Sequence, residues 1–273
     1  MSFKPPNRLK IKLKKFLILF LGLYIMIAAS LYAFQEKILF LPTTLAQDYS
    51  YEFSYNFEEL FFNTEENVRI NAIHFKMKNP KGVILYFHGN AGDLSRWGSI
   101  AEYFVEMQHD VLIMDYRTYG KSTGDLSENG FYTDAQYCYT YLLKHYSEND
   151  ITVYGRSLGT GIASYLGSTN KPKQLILETP YYSISDVAQH RLPIFPVKSL
   201  LKYNFPTYEF LPKVSCPITI IHGTEDEVVP YSSAEKLMDL KLKNLNFVTV
   251  QSGNHNNLVE FEAYRKAIEN CLQ

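Results

Sequence analysis

Apolar residues fall along this chain in two distinct patterns. Residues 16–34 form 19 consecutive positions without a charge, and after residue 57 short apolar runs alternate with amphipathic stretches. At about 1.5 Å of rise per residue, a helix over the first run is close to the ~30 Å hydrocarbon core of a bilayer. A cleavable secretory leader would carry a shorter apolar region and a small-x-small cleavage site. The only candidate is Ala28-Ala29-Ser30, and the apolar run continues past it, so the pattern predicts an uncleaved signal anchor. In the second part, residues 58–62 and 68–77 predict an opening hairpin. Continuous apolar runs at 82–88, 111–115, 151–154, 174–178, 218–222 and 245–250 have the composition of strands buried on both faces. Helical stretches at 95–107, 130–146 and 258–271 separate or follow them. Strands alternating with helices predict an α/β fold with a doubly wound, mostly parallel sheet. Residues 183–213 break the rhythm with Pro193, Pro196, Pro206 and Pro212, which predicts short helices forming a small cap over the site. The expected organisation is a basic N-terminus at 1–15, a transmembrane segment at 16–34, a linker at 35–56 and one α/β domain at 57–273 with its insertion at 183–213.

Charge sharpens this division. The 273 residues carry a formal net charge of −1. Lys4, Arg8, Lys10, Lys12, Lys14 and Lys15 all precede the apolar run, and removing those six leaves 21 basic against 28 acidic residues, a net of −7. Positive charge flanking an apolar span stays on the cytoplasmic side, which places the α/β domain outside the cytoplasm, in the periplasm of a Gram-negative cell. An acidic body is a poor nucleic-acid binder, because phosphate contacts need a basic face. Cys138, Cys216 and Cys271 are odd in number and far apart, and they fit no metal spacing, so they read as reduced thiols. No metal or organic cofactor is implied.

The candidate chemistry centres on Gly155-Arg156-Ser157-Leu158-Gly159, directly after the apolar Ile151-Thr152-Val153-Tyr154. A strand, a sharp turn and a helix in that order present a serine hydroxyl at the C-terminal edge of a parallel sheet. The two glycines remove side chains that would crowd such a turn. The N–H of Leu158, at the start of the helix, can face a developing oxyanion. A serine nucleophile needs a base. His255 lies on the loop after the last predicted strand, at the same sheet edge. The acid should follow the preceding strand, where Glu225, Asp226 and Glu227 compete; Asp226 sits between the Gly223 turn and the apolar Val228-Val229 pair and is assigned the role. A second oxyanion donor is expected at the N–H of Asn90, in the small-residue loop after residue 88. His88 and His222 each end a strand just before a glycine and read as rings tying down turns.

These strings together resemble the Bem46-like, membrane-anchored branch of the α/β-hydrolase superfamily. The matching pieces are Tyr86-Phe87-His88-Gly89-Asn90-Ala91-Gly92, Asp115-Tyr116-Arg117-Thr118-Tyr119-Gly120-Lys121-Ser122 and the Ser157 pentapeptide with its flanks. To them belong the 221–230 segment around Asp226 and Gly253-Asn254-His255-Asn256. The resemblance covers the body from about residue 57 to the end. It implies an α/β-hydrolase fold, with Ser157 as nucleophile, Asp226 as acid, His255 as base and Asn90 and Leu158 as oxyanion donors. It implies hydrolysis of an ester, thioester or related acyl bond in a small-molecule or lipid-like substrate. A peptidase or acyltransferase on the same triad, and a silent lipid- or peptide-binding protein, are the alternatives. One departure is Thr118, where relatives usually carry glycine.

Overall fold

The apolar runs become the strands of one eight-stranded sheet. The computed structural model describes residues 8–273, so Lys4 and the rest of the first seven positions of the basic segment lie outside the described residues. In chain order the first elements are α1 (Arg8–Leu39), β1 (Leu41–Pro42), β2 (Phe57–Glu65), β3 (Val68–Phe75), β4 (Val83–Phe87) and β5 (Ala91–Gly92). Next come α2 (Leu94–Glu106), β6 (Asp110–Met114), α3 (Glu128–Leu142), β7 (Ile151–Arg156), α4 (Gly159–Thr169) and β8 (Gln174–Glu178). Then follow α5 (Ile184–Arg191), α6 (Val197–Leu200), α7 (Thr207–Phe210), β9 (Ile218–Gly223), α8 (Tyr231–Met238), β10 (Leu245–Val250) and α9 (Glu262–Cys271).

The sheet order is β10-β9-β8-β7-β4-β6-β3-β2. β2 and β3 pair antiparallel, as does β3 with β6, and the remaining pairs are parallel. Both faces are covered. Val83, Leu85 and Phe87 of β4 point into a core closed by α3 and α4, while Ile84 and Tyr86 point into one closed by α2 and α9. That two-residue period, with apolar partners on either side, is why the strand runs are apolar without alternation. The three cysteines are free, two of them buried.

α1 contains the whole of the 16–34 run and is long and apolar enough, by length and composition, to cross a membrane. The segment expected as a linker at 35–56 is ordered and packed. Phe40 is buried against Phe131 and Tyr203. The Thr43 N–H donates to the Gly92 carbonyl, and the Thr43 carbonyl accepts from the Gly120 N–H. Tyr51 donates to Asn71 Oδ1 at 2.8 Å, and the Phe53 ring packs edge-on against Phe57 and Phe75. The rich aromatic content of the sequence is spent on this packing.

The 183–213 insertion between β8 and β9 forms short helices, as expected. It packs on α4 and α1.

Candidate active site

β7 ends at Arg156 and α4 begins at Gly159, so the chain reverses within two residues. Ser157 takes the turn at φ +51°, a left-handed conformation that side chains rarely adopt and that persists only where the surroundings impose it. The imposition comes from close packing. A Cβ on Gly155 would meet the Gly159 carbonyl oxygen at 2.5 Å and Ala163 Cβ at 2.7 Å, and one on Gly159 would meet the Phe87 carbonyl oxygen at 2.1 Å. The start of α4 thus sits hard against β4 and β7.

The strand order brings three loops to this edge. β9 delivers Asp226 and β10 delivers His255. His255 Nε2 lies 2.9 Å from Ser157 Oγ, and His255 Nδ1 lies 2.7 Å from Asp226 Oδ2. Asp226 Oδ1 accepts the N–H groups of Val228 and Val229, each at 2.8 Å. An ionised carboxylate only accepts, so Nδ1 carries the ring proton and donates it, which leaves Nε2 to accept from the serine hydroxyl. The Asp226 side chain is wholly buried, whereas Glu225 and Glu227 are exposed. The apolar pair after Asp226 supplies both the N–H donors and the packing, through buried Val229.

Asn90 and Leu158 flank the serine. Asn90 lines the same cleft, with its carbonyl accepting from the Tyr119 hydroxyl at 2.7 Å and its Oδ1 accepting from the Leu41 N–H at 3.3 Å. Leu158 directly precedes α4, and its carbonyl accepts from the buried Tyr181 hydroxyl at 3.0 Å. The cleft encloses 230 Å³ around Ser157 and His255, walled by Leu41, Asn90, Trp97, Arg156 and Val228 among others. No residue of the insertion lines it. The cap therefore does not roof the serine; among the described residues its link to the site is Arg191, whose guanidinium donates to the carbonyls of Glu227 and Val228. An adjoining cavity of 340 Å³ shares Arg96, Arg156 and Asn256 with the cleft and is lined by Ile100, Tyr103, Phe104 and Val259 among others.

His88 and His222 each place Nδ1 against the carbonyl of the following glycine, at 2.7 and 3.1 Å. Burial pushes His222 below the usual imidazole range, against the pull of Asp226, which disfavours a charged ring there. His88 Nε2 stands 3.3 Å from Asp115 Oδ1, both side chains fully buried. Desolvation raises the Asp115 carboxyl above its ordinary range.

Two residues that sequence reasoning passed over carry weight here. Arg156 fills the variable position of the pentapeptide. Its Nε lies 3.2 Å from Glu178 Oε1, its plane lies over the Trp97 ring, and its Nη2 donates to the His255 carbonyl at 3.3 Å. The partner was hidden because Arg156 and Glu178 meet only through the β7–β8 register. Leu41 reaches the site because β1 pairs with β5 in parallel, two residues after α1 ends. A two-residue strand leaves no periodicity to read.

Comparison with known proteins agrees with this architecture. A family model described as the alpha/beta hydrolase fold matches residues 82–196. The lysophosphatidylserine lipase ABHD12 of Danio rerio is 29% identical over 295 residues, covering 88% of this chain and 76% of the relative. Protein bem46 of Schizosaccharomyces pombe is 32% identical over 193 residues, covering 66% and 64%. The solved esterase Pf2001 of Pyrococcus furiosus superposes with a TM-score of 0.65 at 17% identity, over 86% of this chain and 97% of its own, a likeness of fold.

Proposed function

The chain belongs to the α/β-hydrolase family, and on that footing we propose that it is a membrane-anchored serine hydrolase acting on an ester, thioester or related acyl bond. The observation that carries this reading is the continuous hydrogen-bonded line from Ser157 Oγ through His255 to buried Asp226. In the first half-reaction Ser157 Oγ attacks the carbonyl carbon while its proton passes to His255 Nε2. Asp226 holds the ring by Nδ1 and stabilises the imidazolium. The oxyanion accepts from the N–H groups of Asn90 and Leu158. His255 returns the proton to the departing alcohol or thiol, leaving an acyl-serine. Water then gives its proton to the same nitrogen and attacks the acyl carbon, releasing the acid and restoring the serine. Each half-reaction begins and ends with a neutral His255.

The lipase and esterase names among its relatives, together with the apolar lining of the 340 Å³ cavity beside the serine, support an acyl substrate of lipid-like character. α1 is read as the anchor, with its basic end in the cytoplasm and the hydrolase domain on the far side of the membrane. The test is labelling of the full-length protein by a fluorophosphonate. The wild type should label and Ser157→Ala should not, while hydrolysis of a simple ester falls by several orders of magnitude. An unlabelled wild-type protein, or a Ser157→Ala variant with near-normal turnover, would sink the proposal.

A further inference from the structure

The turn between α5 and α6 lies along the flank of α1. The Tyr24 hydroxyl donates to the Ile194 carbonyl at 2.9 Å, and the Tyr24 and Phe195 rings stack 4.9 Å apart with planes 7° from parallel. Further along, Gln35 is the one buried residue of a helix whose Tyr24, Ala28, Leu31, Glu36 and Leu39 are half-buried and whose other residues are exposed. Its Nε2 donates to the Leu200 carbonyl at 3.1 Å, and its Oε1 accepts the Lys202 N–H at 2.7 Å. Tyr203 donates to Glu36 at 2.8 Å. These contacts fix depth. Tyr24 lies ten residues before Phe34, about 15 Å along a helix axis. Where α1 crosses a bilayer over 16–34, whatever is docked at Tyr24 is carried below the headgroups with it.

The chemistry of the turn suits that position. Leu192-Pro193-Ile194-Phe195-Pro196-Val197 has no polar side chain, and Ile194 is 70% exposed. Hydrocarbon offers no water to an unpaired backbone group, so each N–H and C=O left unpaired there is costly. All six carbonyls of this turn accept a hydrogen bond. Leu192, Phe195, Pro196 and Val197 accept from the N–H groups of Phe195, Val197, Ser199 and Leu201. Pro193 accepts from Gln189 Nε2 at 3.0 Å, and Ile194 from Tyr24. Two of the six residues are prolines with no N–H to satisfy. Of the other four, Leu192, Phe195 and Val197 donate their N–H groups to the carbonyls of Ala188, Leu192 and Phe195, which leaves the Ile194 N–H as the one backbone group of the turn without a partner. Exposed Lys37, Lys198 and Lys202 flank it, with the Lys202 ammonium over the Tyr32 ring. Long basic side chains of this kind reach from a buried stem to lipid phosphates.

We infer that residues 192–197 are a second membrane-embedded element, occupied on their outer face by the acyl chains of the bilayer in which α1 is anchored. The inference rests on the membrane-spanning reading of α1. Its consequence is functional. Arg191, adjoining the turn, holds the carbonyls of Glu227 and Val228, and Val228 and Leu41 are walls of the serine cleft. The cleft is thereby held at the membrane surface, and an acyl substrate moves from the leaflet to Ser157 with little exposure to water.

The test uses full-length protein in phosphatidylcholine–phosphatidylglycerol vesicles, with an environment-sensitive fluorophore on Ile194→Cys, Leu19→Cys or Glu262→Cys and the unsubstituted chain as the labelling blank. Quenching by a lipid spin-labelled at mid-chain is compared with quenching by aqueous iodide. Leu19 and Ile194 should be quenched several-fold more by the lipid, and Glu262 by iodide. Leu19 in lipid with Ile194 in water overturns this inference alone; both in water overturns the anchor as well. A second readout is Ile194→Glu, which should lower turnover of a vesicle-borne long-chain ester about tenfold while leaving a soluble acetate ester within about twofold. Equal effects on the two substrates overturn delivery from the leaflet.

Discussion

The backbone N–H of Leu41 donates to Asn90 Oδ1, two residues beyond the end of α1. β1 thus ties the exit of the apolar helix to the loop proposed to hold the oxyanion. The pairing of Leu41 with Ala91 and of Pro42 with Gly92 reinforces the same contact. The chain between helix and domain is part of the site's frame.

Two truncations separate anchoring from framing. A chain beginning at Gln35 keeps β1 and should be soluble, with turnover of a short-chain ester within about threefold of the full-length protein. A chain beginning at Leu45 lacks the Leu41–Asn90 bond and the Thr43–Gly92 bond. Removing an oxyanion donor outright costs about 10²–10³-fold, so loosening the loop that carries one should lower turnover by at least tenfold. Equal activity of the two would show that β1 has no bearing on catalysis.

The three neighbouring carboxylates make a second comparison. Asp226 is buried with both oxygens engaged, and Glu225 and Glu227 face solvent. Asp226→Asn should lower turnover by about 10⁴-fold, since the neutral amide favours the wrong His255 tautomer. Glu225→Gln and Glu227→Gln should each stay within about twofold. A larger loss at either glutamate would move the acid.

Thr118 stands at φ +72° with its Oγ1 buried and without a hydrogen-bond partner. A β-branched residue in that conformation is strained by about 1–2 kcal/mol. Thr118→Gly should therefore stabilise the domain by about 1 kcal/mol after the entropy of glycine is charged against it. A thermal melt should show a rise of about 2–4 °C. A lower melting temperature would mean that the threonine methyl contributes packing that outweighs the strain.

Burial drives the His74 pKa down to about 3; its two nitrogens lie 3.3 and 3.1 Å from the hydroxyls of Tyr141 and Tyr146. The folded protein keeps this ring neutral where the unfolded chain protonates it at about 6.5. Stability is therefore full above pH 6.5 and is lost as the pH falls toward 3, by about 1.4 kcal/mol per unit from this one group. His222 acts in the same direction. Urea unfolding at pH 7, 5.5 and 4 should show a shallower acid loss for His74→Phe than for the unsubstituted domain. Parallel slopes would refute the assignment.

The sheet strands and the Ser157, Asp226 and His255 positions were legible because each depends on local pattern. Buried strands write themselves as apolar runs, and a nucleophile turn needs glycines at fixed offsets. That Asp226 rather than its neighbours turns inward to His255 was legible too, from the apolar pair that packs behind it; its role as the acid is the proposal that the comparison of the three carboxylates tests. What the sequence hid depends on register and on distant docking. Arg156 meets Glu178 only once β7 lies beside β8, and the 35–56 segment carries too little periodicity to announce its packing. The insertion's prolines announced broken helices but not the surface they cover, which is α4 and the flank of α1 rather than the serine cleft.

Arg156 gives the sharpest test of how the His255 loop is held. Its guanidinium joins Glu178 on one side and the His255 carbonyl on the other, beneath the face of Trp97. Removing it has two separable effects. Arg156→Met leaves the Glu178 carboxylate buried, with only the Tyr154 and Tyr264 hydroxyls as donors. An unpaired buried charge costs about 3 kcal/mol, so the variant should unfold several degrees early. It also frees the His255 loop, and turnover should fall about tenfold with the KM for a short ester little changed. Adding Glu178→Gln removes the stranded charge while keeping an acceptor for both tyrosines. The double variant should recover most of the lost stability but none of the lost turnover. If activity returns together with stability, Arg156 serves the fold alone and has no separate part in positioning the base.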